Sequence, residues 1–85
     1  MIYFSPDFVF SKRNNQLILT SLNPGDQKIY SFEGPCAVLV EKLTSMHFLE
    51  DDYKKVSKFI EGEFSIDEWK SLLKFCLEEK IFIQD

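Results

Sequence analysis

The chain is poor in the residue types on which site chemistry rests. Its 85 residues include one histidine and two cysteines, Cys36 and Cys76, far apart in sequence. There is no C-x-x-C pair, no Cys/His cluster and no even-numbered cysteine framework, which excludes a disulfide scaffold and a zinc ribbon. Three isolated glycines, Gly25, Gly34 and Gly62, leave no glycine-rich phosphate loop and no G-x-S-x-G elbow. The longest unbroken apolar run, Cys36 to Val40, is far short of a membrane span. Met1–Asp7 lacks a basic region and a small-residue cleavage site, so no signal peptide is expected and the expected location is the cytoplasm. Basic residues are in the minority, 10 Lys+Arg against 14 Asp+Glu for a net charge of −4. That balance disfavours nucleic acid, whose binding rests on phosphate neutralisation. One domain over 1–85 is expected. At this size only about 60–65% of the unfolded surface is hidden on folding, which leaves no room for a catalytic domain with a lid.

Aromatic residues are plentiful: nine Phe, three Tyr and one Trp. The first part of the chain reads as strands. Phe8-Val9-Phe10 and Gln16–Thr20 flank the polar turn Lys12–Asn15, which predicts a hairpin. Asn23-Pro24-Gly25-Asp26 is a further turn signal. Lys28–Phe32 then forms a third strand with Lys28, Tyr30 and Phe32 on one face and Ile29 and Ser31 on the other.

From Gly34 onward the period changes to that of helices. Gly34-Pro35 opens the first, and Cys36, Val40, Leu43 and His47 fall on one stripe. A second is predicted from Glu50-Asp51-Asp52, with Leu49, Tyr53, Val56 and Ile60 as its apolar face and Gly62 as its stop. Ser65 and Glu68 form a capping box for a third, whose stripe holds Ile66, Trp69, Leu72, Leu73, Cys76 and Leu77. Ile81–Ile83 follows as an extended apolar tail. The fold class is α+β: a three-stranded antiparallel sheet followed by three helices, compatible with a small winged-helix-like domain.

No catalytic constellation emerges. His47 ends an apolar stripe with no second ligand at metal spacing, and Glu50-Asp51-Asp52 lacks the alternating oxygens of a calcium loop. Neither metal nor cofactor is expected, and Cys36 and Cys76 read as buried thiols.

Binding features are stronger. At 100° per residue Phe75 lies roughly 130° off the third helix's core stripe, surplus to a simple core face. A third strand at a sheet edge offers free N–H and C=O groups to an incoming strand. Lys70 and Lys74, one turn apart, are candidates for steering an acidic peptide toward such a site. Lys54, Lys55 and Lys58 decorate the second helix.

Two stretches carry a family resemblance. Tyr30-Ser31-Phe32-Glu33-Gly34-Pro35-Cys36-Ala37-Val38-Leu39, and Ser65-Ile66-Asp67-Glu68-Trp69 with Leu73 and Leu77-Glu78-Glu79-Lys80-Ile81-Phe82, resemble the PqqD-like proteins in element order and apolar spacing. These are RiPP recognition elements, winged-helix-like domains that bind the leader of a ribosomally made precursor peptide and present it to a modifying enzyme, often a radical-SAM maturase. The resemblance implies that a leader adds as a strand along Lys28, Ile29, Tyr30, Ser31 and Phe32. It also implies helix-side contacts from Leu72, Phe75, Cys76, Lys70 and Lys74. The stretch Thr44–Asp52 is longer and more acidic than the family pattern. Against this stand two other classes, a winged-helix nucleic-acid binder and a small interaction or regulatory domain. Both charge signs on the third helix, Asp67, Glu68, Glu78 and Glu79 against Lys70, Lys74 and Lys80, weigh against the first of these.

Overall fold

Four strands precede three helices and a fifth strand closes the chain in the computed structural model, which describes residues 1–25, 27–60 and 64–85. The strands are β1 (Ile2–Phe4), β2 (Phe8–Arg13), β3 (Gln16–Ser21), β4 (Ile29–Glu33) and β5 (Phe82–Gln84). The helices are α1 (Gly34–Leu43), α2 (Tyr53–Val56), continued by a 3-10 turn over Ser57–Phe59, and α3 (Ile66–Glu78). The class is α+β, with an antiparallel three-stranded sheet in the order β2-β3-β4.

The hairpin expected over 8–20 forms as β2 and β3, but Lys12 and Arg13 belong to the strand. The turn is Asn14-Asn15 alone, with Asn14 at φ 54, a left-handed conformation that asparagine tolerates. Period-2 alternation then sorts the sheet. Phe8, Leu17 and Leu19 are buried beneath it, while Val9, Ser11 and Ile29 are exposed on the other face. At the end of β4 the chain reverses direction through Gly34 at φ 61. A side chain there would be strained, so glycine is the fitting residue. Pro35 then occupies the first turn of α1.

Three sequence expectations are corrected. β1 was not anticipated, and it is the partner that the extended apolar tail, β5, pairs with. Ile2, Tyr3 and Phe4 pair antiparallel with Gln84, Ile83 and Phe82 in a separate two-stranded sheet. Ile2 also exchanges hydrogen bonds with Phe48, at 2.7 and 3.0 Å. α1 ends at Leu43, so His47 lies beyond it, exposed and stacked on Tyr3. The chain has to turn there to carry Phe48 to Ile2. The second helix is one turn long and starts at Tyr53, because Asp52 accepts the Leu49 N–H on its Oδ2 at 2.9 Å and Leu49 stays exposed. Its expected stop, Gly62, and Asp26 of the second turn lie outside the described residues.

The capped third helix is as expected. Ser65 Oγ accepts the Glu68 N–H at 3.1 Å, satisfying one of the amides left over at a helix start. Trp69, Leu73 and Cys76 turn into the core. The Trp69 ring lies 5.8 Å from that of Phe48, which meets Phe82 edge-on at 5.5 Å. Trp69 Nε1 donates to the Glu50 carbonyl at 2.9 Å, so its one polar atom is satisfied in the interior. Val40 is fully buried in the same cluster as Trp69 and Leu73.

Candidate peptide cleft between β4 and α3

β4 is an edge strand: among the described residues it pairs with β3 alone. The Ser21 N–H donates to the Lys28 carbonyl at 2.9 Å, which sets the phase of the ladder. In an antiparallel pair hydrogen-bonded and non-hydrogen-bonded positions alternate. Tyr30 and Phe32 therefore direct their N–H and C=O groups at β3, and Ile29 and Ser31 direct theirs at the open edge. The side chains alternate too: Tyr30 and Phe32 are half-buried, whereas Ile29, at 71%, and Ser31 are exposed.

α3 approaches this edge through side chains. Phe75 meets Tyr30 at 5.7 Å and Phe32 at 6.3 Å between ring centroids, both edge-to-face. The Tyr30 hydroxyl donates to Glu79 Oε1 at 2.6 Å and ties β4 to the end of the helix. Phe75 remains 41% exposed, and Leu72 is half-buried against the core. Tyr30, Phe32 and Phe75 thus form an apolar floor beside a row of outward amides, with Leu72 one turn back on the same flank of α3. The surplus phase of Phe75 on the helix wheel was the sequence signal for it.

The other expected residues divide. Lys28 stands at the head of the strand and contributes its carbonyl to β3. Cys76 is 1% exposed and belongs to the core behind the cleft. Burial, then the neighbouring Cys36, push its thiol up to about 12. Cys36, half-buried in the first turn of α1, is raised by burial and, secondarily, by the charge of Glu68.

Lys70 and Lys74 are not brought to β4. With Phe75 facing the strand, the helical rotation sets Lys70 about 140° and Lys74 about 100° away from it, both on the far flank. Lys74 Nζ lies 4.0 Å from Glu78 Oε1, a solvent-exposed pair. The helix flank that faces β4 runs Glu68, Leu72, Phe75, Glu79. Its contacts with β4 are the Tyr30 hydroxyl bond to Glu79 and the ring contacts of Phe75 with Tyr30 and Phe32. Sequence reasoning missed both glutamates, although their i, i+4, i+7, i+11 spacing was legible.

A large hollow lies elsewhere. It has a volume of about 1000 Å³ and is bounded by the β2–β3 turn, the start of α1 and Phe59-Ile60. Its charged side chains are partly paired with one another, Lys12 with Glu41 at 3.0 Å and Glu33 with Gln16 at 2.6 Å. Phe59 is the one aromatic side chain on its lining, whereas Tyr30, Phe32 and Phe75 meet at the β4–α3 cleft, which is the better candidate site. Among the described residues, no helix is long and apolar enough to cross a membrane and no three His, Cys, Asp or Glu side chains cluster to hold a metal ion. A scan against protein-family models, a search of curated proteins and a search of solved structures find no match to this chain.

Proposed function

We propose that this chain is a peptide-binding adaptor of the RiPP recognition element type. In this reading the domain is winged-helix-like and non-catalytic. It holds the leader of a ribosomally made precursor as an added strand on β4 and presents the remainder to a separate modifying enzyme, such as a radical-SAM maturase. The observation that carries the reading is the conjunction of an edge strand and an aromatic cleft. Ile29 and Ser31 offer outward amides, and Phe75 forms the facing wall. Main-chain pairing grips a strand without regard to most of its sequence, and alternate pockets select among side chains.

The nucleic-acid alternative has weaker support, since α3 carries both charge signs and the chain is net negative. The test is amide exchange and shift mapping with the leader of a precursor encoded beside this chain's gene. Protection of the Ile29 and Ser31 amides, with shifts along 69–77, is the expected result. A leader that binds without disturbing either element, or tight binding of duplex DNA with no leader binding, refutes the assignment.

A further inference from the structure

The charge that α3 presents to the cleft has the opposite sign from the one that Lys70 and Lys74 suggest. On the side facing β4, α3 presents Glu68 and Glu79 at the two ends of an apolar stretch formed by Leu72 and Phe75. Glu79 sits beside Tyr30, near the start of β4, while Phe75, one turn back, also reaches Phe32, farther along the strand, so that Glu68 lies toward its far end. α3 therefore runs antiparallel to β4, with one carboxylate toward each end of the strand. Each has an acceptor bond already: Glu68 Oε1 accepts the Ser65 hydroxyl at 3.3 Å, and Glu79 Oε1 accepts that of Tyr30 at 2.6 Å. A carboxylate has room for further donors, so both retain capacity for an incoming cation.

Resting on the strand-addition reading above, we infer that the bound strand is basic and apolar: two apolar side chains one residue apart, flanked by Lys or Arg. The alternation follows from the ladder. Residues opposite Tyr30 and Phe32 point to the same face as those side chains, over Phe75 and Leu72. The residue between them, opposite Ser31, points to the exposed face. The next inward positions on either side come over the ends of the helix stripe, where Glu68 and Glu79 stand. An acidic strand would bring like charge against both carboxylates, with the helix's lysines turned to the far flank.

The test is selection of a displayed library of random linear peptides on the full chain, with counter-selection on Ser31→Pro. That substitution removes an outward N–H and no bond of the β3 ladder, the position at which an edge strand tolerates proline. Circular dichroism and melting check that the variant folds. Should it not fold, amide protection at Ile29 and Ser31 in the wild-type chain serves as the criterion for strand addition.

Peptides that add to β4 are expected to carry the alternating apolar pair with Lys or Arg beside it. Changing those cations to Glu should weaken a selected synthetic peptide about tenfold or more, as should the E68Q/E79Q double variant to a smaller degree. Glutamine at both positions still accepts the Ser65 and Tyr30 hydroxyls, so the helix start and the β4 tie survive. Both losses should shrink in high salt. Peptides that protect the Ile29 and Ser31 amides but are enriched in Asp or Glu, or are indifferent to the cation exchange, overturn the charge inference and leave strand addition standing. If no peptide protects those amides, the adaptor reading falls and takes this inference with it.

Discussion

Tyr30 and Glu79 stand 49 positions apart in sequence and are joined by a 2.6 Å hydrogen bond from hydroxyl to carboxylate. This contact couples the sheet edge to the C-terminal end of α3 and so holds the width of the cleft. Glu79→Ala should lower stability by about 1.5 kcal/mol, the low end of the range for a hydrogen bond to a charged group, because the contact is only part-buried. Glu79→Gln should retain most of it. Denaturant midpoints of the two variants, compared at equal slope, check this, and an unchanged midpoint for Glu79→Ala would show the tie to be idle.

Phe75 should matter for binding as well as for folding. Its ring is 41% exposed and contributes edge contacts to Tyr30 and Phe32, worth about 0.5–1.5 kcal/mol each in comparable pairs. Phe75→Ala is expected to stay folded, with a melting temperature lower by roughly 5 °C or more, while losing at least about tenfold in affinity for an added strand. Lys74→Ala should leave affinity nearly unchanged, because Lys74 points away from β4. Parallel calorimetric titrations separate the two. A larger loss from Lys74→Ala would place the peptide on the other flank of α3.

Trp69→Ala should cost about 3–5 kcal/mol. The ring is 1% exposed, packs on Phe48 and donates to the Glu50 carbonyl. Trp69→Phe keeps most of the volume but leaves that carbonyl without its donor, and should fall between the two. Equilibrium unfolding followed by circular dichroism avoids reliance on the lost fluorophore.

Stability should fall as the solution is made strongly alkaline. The Cys76 thiol moves from an ordinary 9.0 to about 12 on folding, through burial first and Cys36 second. The unfolded chain therefore releases this proton at lower pH than the folded one. The contribution is complete below about pH 9 and is lost as pH rises toward 12. Its slope is at most about 1.4 kcal/mol per pH unit for one thiol. Cys36, also raised, acts in the same direction. Cys76→Ala should flatten the curve over that window relative to wild type, which isolates the thiol from the titration of Lys and Tyr. At neutral pH, Cys76 should react with a thiol reagent only at the rate of global unfolding.

What the sequence disclosed about the fold was mostly local. The α3 start was legible because Ser65, Glu68 and the Trp69–Leu77 stripe lie within a few turns of one another. β2, β3 and β4 were legible for the same reason. β1 was not: three residues carry no usable period, and their partner strand is at the other end of the chain. The end of α1 was misread because His47 continues the apolar stripe in phase, while the pairing of Phe48 with Ile2, a non-local contact, requires the chain to leave the helix. In the site, the phase of Phe75 was visible on a helical wheel. The lysines were assigned by nearness to Phe75 along the chain rather than by angle, and the same wheel carried to Glu68 and Glu79 gives the acidic flank.

The β1–β5 pairing has a consequence for how the chain can be rearranged. Ile2 lies opposite Gln84, and the Asp85 N–H donates to the Met1 carbonyl at 3.1 Å. The backbone is thus nearly a closed ring, and a short flexible bridge can join its ends without displacing Ile2 or Phe82 from the interior. Such a ring can be reopened at Asn14-Asn15, where the turn is exposed and tight, to give a circular permutant whose sheet order is unchanged. In that permutant β1 and β5 become neighbours along the chain instead of its most distant segments. Their closure then spans only a short loop, and the order in which the two sheets form is open to inversion.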